Sequence, residues 1–329
     1  MNESPTWWQA VTTVPRLKPG QWQTLALPVR WLLAVRSSVL FMTLMSAALG
    51  GLLAWRDGRG DLGLWLLCVL GLMLAHATNN LLNDLTDSAK GIDAGNYYRN
   101  QYGVHVLEDG LLSRKQFLVY IGFTGGAALL VGVYLIAERG GLTLPLMLGG
   151  AFFVLFYTWP LKYIGLGEPA VLLVWGPLMV GGSYYVSTGE WSTSAAWLGL
   201  LYGIGPTTVL FGKHIDKLEM DRDKGVRTLP VLLGQRNARY ATQGLLVSQY
   251  IGCAVLIANG TEHWILAVVL LSVPALLRAL KALQHTKPLE RPESYPKQIW
   301  PLWFSAHAFG HTRQFTSLFI AALLVAVWL

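Results

Sequence analysis

The feature that most constrains this chain is a series of long apolar runs. Nine of them approach or reach the ~18–20 residues that an α-helix needs to cross a bilayer. Hydrophobic residues make up 53% of the 329 residues and charged residues only 13%, which excludes an ordinary soluble domain. We therefore predict an all-α, polytopic membrane protein with about nine transmembrane helices. The predicted spans are residues 32–55, 62–82, 116–137, 142–160, 168–187, 191–212, 241–259, 263–281 and 314–329.

Basic residues lie mainly on one side of these spans. Together with the N-terminus, the segments 83–115, 161–167, 213–240 and 278–313 hold 22 of the 25 Lys and Arg residues. Because loops rich in Lys and Arg stay in the cytoplasm, we predict that this side is cytoplasmic. The expected location is a bacterial inner (cytoplasmic) membrane.

The chain is predicted to have two parts. Residues 1–30 contain Trp7, Trp8 and Trp22, which suit an interfacial N-terminal segment. Residues 31–329 have no low-complexity linker, so they are predicted to form a single transmembrane domain. Its two longest polar loops, 83–115 and 213–240, are both Asp-rich and lie on the predicted cytoplasmic side.

The first of these loops begins with a cluster of oxygen ligands. Asn80, Asn83, Asp84 and Asp87 are three or four residues apart, so on a continuing helix they share one face. A turn after them would let Asp93 fold back toward the same place. Oxygen-only ligands favour Mg²⁺, which commonly bridges carboxylates to substrate phosphates. The alternative interpretation is a solvated helix end in which Asn and Asp act as caps.

The second loop offers a partner cluster. On a helix, Lys217 and Asp221 share one face, whereas Asp216 lies on another. In a functional interpretation Asp221 holds a second metal while Lys217, Lys224 and Arg227 contact phosphate oxygens. In a structural interpretation Lys217 and Asp221 form an ordinary i,i+4 ion pair. The segment by itself does not separate these two interpretations.

A third loop places aromatic side chains beside a lysine. Phe156, Tyr157, Trp159 and Tyr163 surround Lys162 in the sequence. Aromatic faces attract positive charge, so these rings suit a developing allylic cation, and Lys162 suits the leaving group. An ordinary interfacial aromatic belt explains the same rings equally well.

Together the loops form a charge pattern for a metal-bound diphosphate. A lipid diphosphate suits the apolar remainder of the chain better than a soluble nucleotide, and no Gly-rich phosphate loop of the P-loop type is present. The net charge of +7 lies on the same side and suits anionic lipid headgroups. Membrane lipids are therefore expected partners, and nucleic acid is not.

Three segments carry a resemblance to a known family: "NDLTDSAKGID", "YTWPLKYIGLGE" and "DRDKGVRTLPVLLG". In this order and between helices of these lengths, they resemble the UbiA superfamily of intramembrane prenyltransferases, most of all its MenA-like branch, which prenylates dihydroxynaphthoate. The resemblance implies a UbiA-type helical bundle with a central cavity. It also implies that Mg²⁺ on the Asp-rich motifs holds a polyprenyl diphosphate, whose ionisation yields an allylic cation that attacks an aromatic acceptor.

The residues and the resemblance together predict three groups of site residues. The predicted catalytic residues are Asp87, Asp221, Lys162 and Tyr157. The predicted metal ligands are Asn83, Asp84, Asp87, Asp93, Asp216 and Asp221. The predicted substrate-binding residues are Asn80, Lys90, Arg99, Lys217, Lys224 and Arg227.

The second motif departs from the family pattern. Lys217 stands where the family commonly has Asp, and Asp216 is one place off, about 100° around a helix. His214 stands where MenA-like sequences tend to have Asn. Either a local bend brings in Asp216 or Glu219, or Asp221 binds the metal alone with Lys217 neutralising part of the charge, or metal use or activity itself is altered.

The predicted function is transfer of a polyprenyl group to an aromatic quinone precursor such as dihydroxynaphthoate. Alternatives are a related transferase with another acceptor, for example hydroxybenzoate, a tetrapyrrole, or a phosphate or hydroxyl acceptor. The alternative from another functional class is a non-catalytic protein that binds lipid diphosphates. It is suggested by Lys217, which stands at a position where the family commonly has Asp.

Overall fold

The computed structural model describes residues 5–13, 15–18, 20–92, 103–297 and 299–329. In these ranges all regular elements are helices, and one isolated backbone bridge joins Ile164 and Arg227. The α-helices in chain order are α1 (Trp7–Thr12), α2 (Gln21–Thr24), α3 (Leu27–Ala34), α4 (Ser37–Arg56), α5 (Leu62–Ala89), α6 (Arg114–Arg139), α7 (Thr143–Phe156), α8 (Gly167–Leu173), α9 (Met179–Thr188), α10 (Thr193–Asp216), α11 (Leu218–Asp223), α12 (Leu229–Ala258), α13 (Val273–Gln284) and α14 (Phe304–Ala326).

Seven helical segments of the described chain are long and apolar enough to cross a membrane. They are Ser37–Arg56, Leu62–Ala89, Arg114–Arg139, Gly167–Thr188, Thr193–Asp216, Leu229–Ala258 and Trp264–Gln284. The predicted span 142–160 is the shorter helix α7, of 14 residues, and the predicted span 314–329 falls largely in α14. The all-α polytopic fold is therefore confirmed, whereas the count of nine spans stays a prediction.

Helix α5 carries the first polar cluster. Capping interactions at both ends of this helix account for its length. The Asp61 side chain accepts the Leu64 N–H at 2.9 Å and caps the start. At the other end Gly91 has φ +68°, Ile92 N–H bonds the Asp87 carbonyl and Gly91 N–H bonds the Ser88 carbonyl. This arrangement is a Schellman motif, which ends a helix at a residue free to adopt positive φ. The helix thus continues two turns past the end of the predicted apolar span at residue 82, as a shared face for Asn83 and Asp87 requires.

The helical segment Gly167–Thr188 is broken near its middle. Residues Val174–Leu178 form a π turn in which Gly176 leaves the helical region (φ −85°, ψ −113°) and Pro177 lacks a backbone donor. The Trp175 carbonyl instead accepts the Ser46 hydroxyl at 2.5 Å. The break places the Trp175 ring against His76 of α5.

The two largest of four hydrophobic core clusters in the described chain connect most of the bundle. The larger one joins α4, α10 and α14 through fully buried side chains such as Leu53, Leu198 and Phe319. The second packs the N-terminal segment against α5 and α6, with Trp22 buried. Trp7 and Trp8 are 58% and 66% exposed, so they lie outside this packing.

Candidate active site

A cavity of about 480 Å³ lies between α5, α6, α7 and the broken segment Gly167–Thr188. Its lining is mostly apolar or small, with glycines such as Gly71, Gly125 and Gly150 leaving room. Polar side chains are few and include His76, Asn79 and Tyr157. The cavity therefore suits an apolar chain, and the first polar cluster continues along α5 beyond Asn79.

Asp87 and Lys162 form a buried ion pair next to this cavity. The Lys162 ammonium donates to both Asp87 carboxylate oxygens at 2.7 Å, and both residues are more than nine-tenths buried. Lys162 lies on the short 3₁₀ turn that follows α7. The Asn83 amide donates to Asp87 at 3.2 Å and to the Thr158 hydroxyl at 3.1 Å. The first and third loops thus meet at one point, as the charge pattern predicts.

Arg36 belongs to this cluster, and the sequence analysis missed it. Its guanidinium lies 3.3 Å from an Asp84 carboxylate oxygen and donates to the Asn83 side-chain oxygen at 3.2 Å. Its backbone has φ +55°, the only positive value at a described residue other than glycine. The Asn80 side chain donates to the Val35 carbonyl at 2.9 Å. Asn80, which was predicted to bind substrate, therefore hydrogen-bonds the backbone of the segment between α3 and α4.

The second motif bends at Lys217. Helix α10 ends at Asp216 and α11 begins at Leu218, because Lys217 has non-helical angles (φ −121°, ψ 22°). The Lys217 ammonium contacts one Asp221 oxygen, Oδ1, at 2.8 Å. The other oxygen, Oδ2, is buried and has no hydrogen-bond partner in the described structure. Asp221 therefore presents one acceptor that a cation would satisfy.

Asp216 has a different role from the predicted one. Its carboxylate accepts the backbone N–H groups of Trp303, Phe304 and Ser305 at 2.9, 3.0 and 3.1 Å, at the start of α14. Both oxygens are used in this way, so Asp216 is left out of the proposed metal site. Glu219 is exposed and pairs with Arg222, which also removes it as a substitute ligand.

Further contacts connect the loops. The Lys224 ammonium donates to the Ile92 carbonyl, at the end of the first motif. Arg227 forms the isolated backbone bridge with Ile164 of the third loop. The Lys90 ammonium lies 5.2 Å from the Trp159 ring centre and 5.3 Å from that of Tyr163.

A second buried pair fastens the third loop to the second motif. His214 Nδ1 lies 2.5 Å from a Glu168 carboxylate oxygen, and the other Glu168 oxygen accepts the Leu229 N–H at 3.3 Å. Both side chains are buried. Sequence reasoning gave Glu168 no role. Its only local signal is an acid in an otherwise apolar stretch.

The four predicted aromatic residues differ in position. The Tyr163 ring centre lies 5.3 Å from the Lys90 ammonium and 5.5 Å from the Lys162 ammonium. Tyr157 lines the cavity, whereas Phe156 is 41% and Trp159 53% exposed. The predicted residues Asp93 and Arg99 lie outside the described residues.

The described donors fit Mg²⁺ only together with phosphate oxygens. Among the described residues no group of three or more His, Cys, Asp or Glu could hold a metal alone. However, the donors are carboxylates and amides, and the buried Asp221 Oδ2 lacks a partner. Mg²⁺ keeps several waters or substrate oxygens beside one or two carboxylates, which suits this set.

A membrane helical bundle with an apolar cavity next to buried carboxylates and lysines is the arrangement that a protein acting on a lipid with an anionic head requires. The model of the UbiA prenyltransferase family matches residues 43–304, and the chain belongs to this family. It is thus an intramembrane prenyltransferase.

Characterised relatives agree with this assignment. The 1,4-dihydroxy-2-naphthoate octaprenyltransferase of Escherichia coli (strain K12) is 28% identical over 237 residues, which cover 68% of this chain and 75% of the relative. The human UbiA prenyltransferase domain-containing protein 1 is 27% identical over 253 residues, covering 74% of this chain and 72% of the relative.

Solved structures share the fold. A UbiA homologue from Archaeoglobus fulgidus bound to GPP and Mg²⁺ has a TM-score of 0.59 at 15% identity, covering 89% of this chain and 99% of that one. The apo structure of a UbiA homologue from Aeropyrum pernix K1 has a TM-score of 0.62 at 15% identity, covering 87% and 97%.

Proposed function

We propose that this prenyltransferase moves a polyprenyl group from its diphosphate to a hydroxylated aromatic quinone precursor of the dihydroxynaphthoate kind. The observation that carries the proposal is the buried Asp87–Lys162 pair beside an apolar cavity of about 480 Å³. The acceptor class is supported by the relative from Escherichia coli, whose name states a naphthoate substrate. We further propose a bacterial inner membrane location, with the Asp-rich loops on the cytoplasmic side.

Basic side chains stabilise the diphosphate leaving group in the proposed reaction. The C–O bond between the allylic carbon and the diphosphate breaks, an acceptor ring carbon bonds to the allylic carbon, and the ring carbon then loses its proton. Lys162, Lys217 and Arg227 stabilise the negative charge that develops on the diphosphate, the kind of stabilisation that usually contributes most to catalysis. Lys90 and Lys224 are proposed to assist in substrate binding.

Mg²⁺ would neutralise diphosphate charge and fix its orientation. Asp87 and Asp221 are the proposed principal ligands, with Asn83 and Asp84 as further oxygen donors. Because Lys162 and Lys217 occupy the Asp87 and Asp221 carboxylates in this structure, each lysine would exchange its carboxylate for a phosphate oxygen when the substrate binds. Tyr157, which lines the cavity, shields the developing cation, and the apolar lining keeps water away from it.

The experiment that tests this function is direct. Purified protein receives a panel of prenyl diphosphates with dihydroxynaphthoate or hydroxybenzoate, in Mg²⁺ or in EDTA, and diphosphate release and product mass are measured. We expect a Mg²⁺-dependent prenylated naphthoate, and we expect Asp87→Asn to abolish its formation even when rates are compared per amount of folded protein. Product with hydroxybenzoate alone would move the assignment to another acceptor. Substrate binding without diphosphate release would favour the non-catalytic alternative.

A further inference from the structure

One buried polar side chain in the cavity has no role in the mechanism above. His76 lies on α5, two turns before Asn83, and is only 8% exposed. It lines the cavity among mostly apolar neighbours. Burial of a polar ring is costly unless its polar atoms are bonded, so both ring nitrogens need an explanation.

The Nδ1 atom is explained by a short chain of hydrogen bonds. The Trp175 indole, which can only donate, lies 3.2 Å from the Thr43 hydroxyl, and this hydroxyl lies 2.8 Å from His76 Nδ1. If His76 Nδ1 donated, the Thr43 proton would have no acceptor among the described residues. The Thr43 hydroxyl therefore donates to Nδ1, and the ring proton sits on Nε2. The edge-to-face contact with Trp175, at 5.0 Å and 84°, fixes the ring.

The Nε2–H group is then a fixed donor without a protein acceptor in the described part of the chain. We propose that His76 recognises the aromatic acceptor by donating this hydrogen bond to an oxygen substituent of its ring, a hydroxyl or a carboxylate. The inference rests on the proposed function, because it names a residue that selects the acceptor of that reaction.

The position of His76 fits this role. It lies eleven residues before Asp87 on the same helix, about 16 Å along the axis. This distance is long enough for three groups to lie in a line: the diphosphate at Asp87, the allylic carbon and one acceptor ring. A prenyl chain offers no oxygen to His76, so the donor serves the other substrate.

The test compares His76→Phe, which keeps a ring but removes both nitrogens, with His76→Gln, which keeps an amide donor. The substrates are 1,4-dihydroxy-2-naphthoate, the analogue without one hydroxyl, and the analogue without the carboxylate. Loss of one net hydrogen bond predicts a roughly two- to tenfold rise in the acceptor KM for His76→Phe, with the prenyl diphosphate KM unchanged. His76→Gln stays near the wild type. The analogue that lacks the bonded oxygen gives equal KM values for His76→Phe and wild type, which identifies that oxygen.

Two further variants separate recognition from structure. Thr43→Val changes a positioning residue outside the cavity lining. We expect this variant to raise the acceptor KM, and we expect its thermal unfolding midpoint to be similar to that of His76→Gln. His285→Phe, on the exposed loop after α13, is the matched control and should change nothing. An acceptor KM unchanged in His76→Phe, or a parallel rise in both KM values, would overturn the inference alone. A wild type that prenylates no aromatic acceptor would overturn the proposed function as well.

Discussion

The Asp87–Lys162 pair permits a quantitative prediction. Lys162 is 4% and Asp87 7% exposed, and Lys162→Met leaves the carboxylate buried with the Asn83 amide, at 3.2 Å, as its one side-chain hydrogen-bond donor among the described residues. Removing one member of a buried pair typically costs about 3–5 kcal/mol, because the other charge stays buried and uncompensated. Since the Asn83 contact persists, we expect the lower end, about 3 kcal/mol.

The free energy of unfolding in detergent micelles is measured for three proteins: the wild type, Lys162→Met and the double variant Asp87→Asn/Lys162→Met. The double variant removes both charges, so we expect it to recover most of the loss. Lys115→Met, at an exposed position on α6, is the control and should stay within about 0.5 kcal/mol of the wild type. Prenyl transfer should fall by roughly 10²-fold or more in both Lys162 variants, as when one preorganised donor is removed from other active sites.

Two results would refute this reasoning. Lys162→Met could unfold with the wild-type free energy, in which case the ion pair contributes nothing to stability. Alternatively, the double variant could be no more stable than the single one, which would show that the loss comes from the packing of the lysine stem and not from an unpaired charge.

Three other predictions concern neighbouring parts of the site. Asp216→Ala should lower the free energy of unfolding by about 0.5–2 kcal/mol, because a helix cap is lost, while the Mg²⁺ concentration for half-maximal activity stays unchanged. Lys217→Ala should lower that Mg²⁺ concentration, because the Asp221 carboxylate loses the ammonium that competes with Mg²⁺ for it; an unchanged Mg²⁺ curve would remove Lys217 from the charge balance. Gly150→Phe should shorten the longest prenyl chain accepted, since its side chain would enter the cavity, whereas the adjacent Gly149→Phe, outside the lining, should not.

The sequence predicted those features that depend on local spacing. The apolar runs gave the helices, and the three- and four-residue spacing placed Asn83 and Asp87 on one face of α5. Their contact with each other, at 3.2 Å, bears out that spacing. The positive φ of Gly91 likewise agrees with the turn expected after the first motif.

The partners of these residues follow from tertiary packing, which local spacing does not encode. Arg36 reaches Asn80 across 44 residues of chain, and Glu168 reaches His214 across 46. Each contact depends on how two helices pack, and the residue spacing in a single sequence gives no sign of it. His76 was missed for a related reason: on a helical face of apolar residues, a single histidine has no distinctive spacing.

The structure of the second motif depends both on a local bend at Lys217 and on a contact between Asp216 and the distant helix α14. The sequence offered a bend that brings in Asp216 or Glu219, or a lysine that replaces a ligand. The bend exists at Lys217, but it does not bring in either acid, because Asp216 is held by the amides at the start of α14. With that carboxylate fixed, the bend leaves Lys217 beside Asp221 at 2.8 Å. A cation thus lies where the family pattern has an acid. We therefore predict that the protein supplies part of the positive charge that the family pattern takes from bound metal, and that an aspartate at 217 would need more bound Mg²⁺ to reach the same balance.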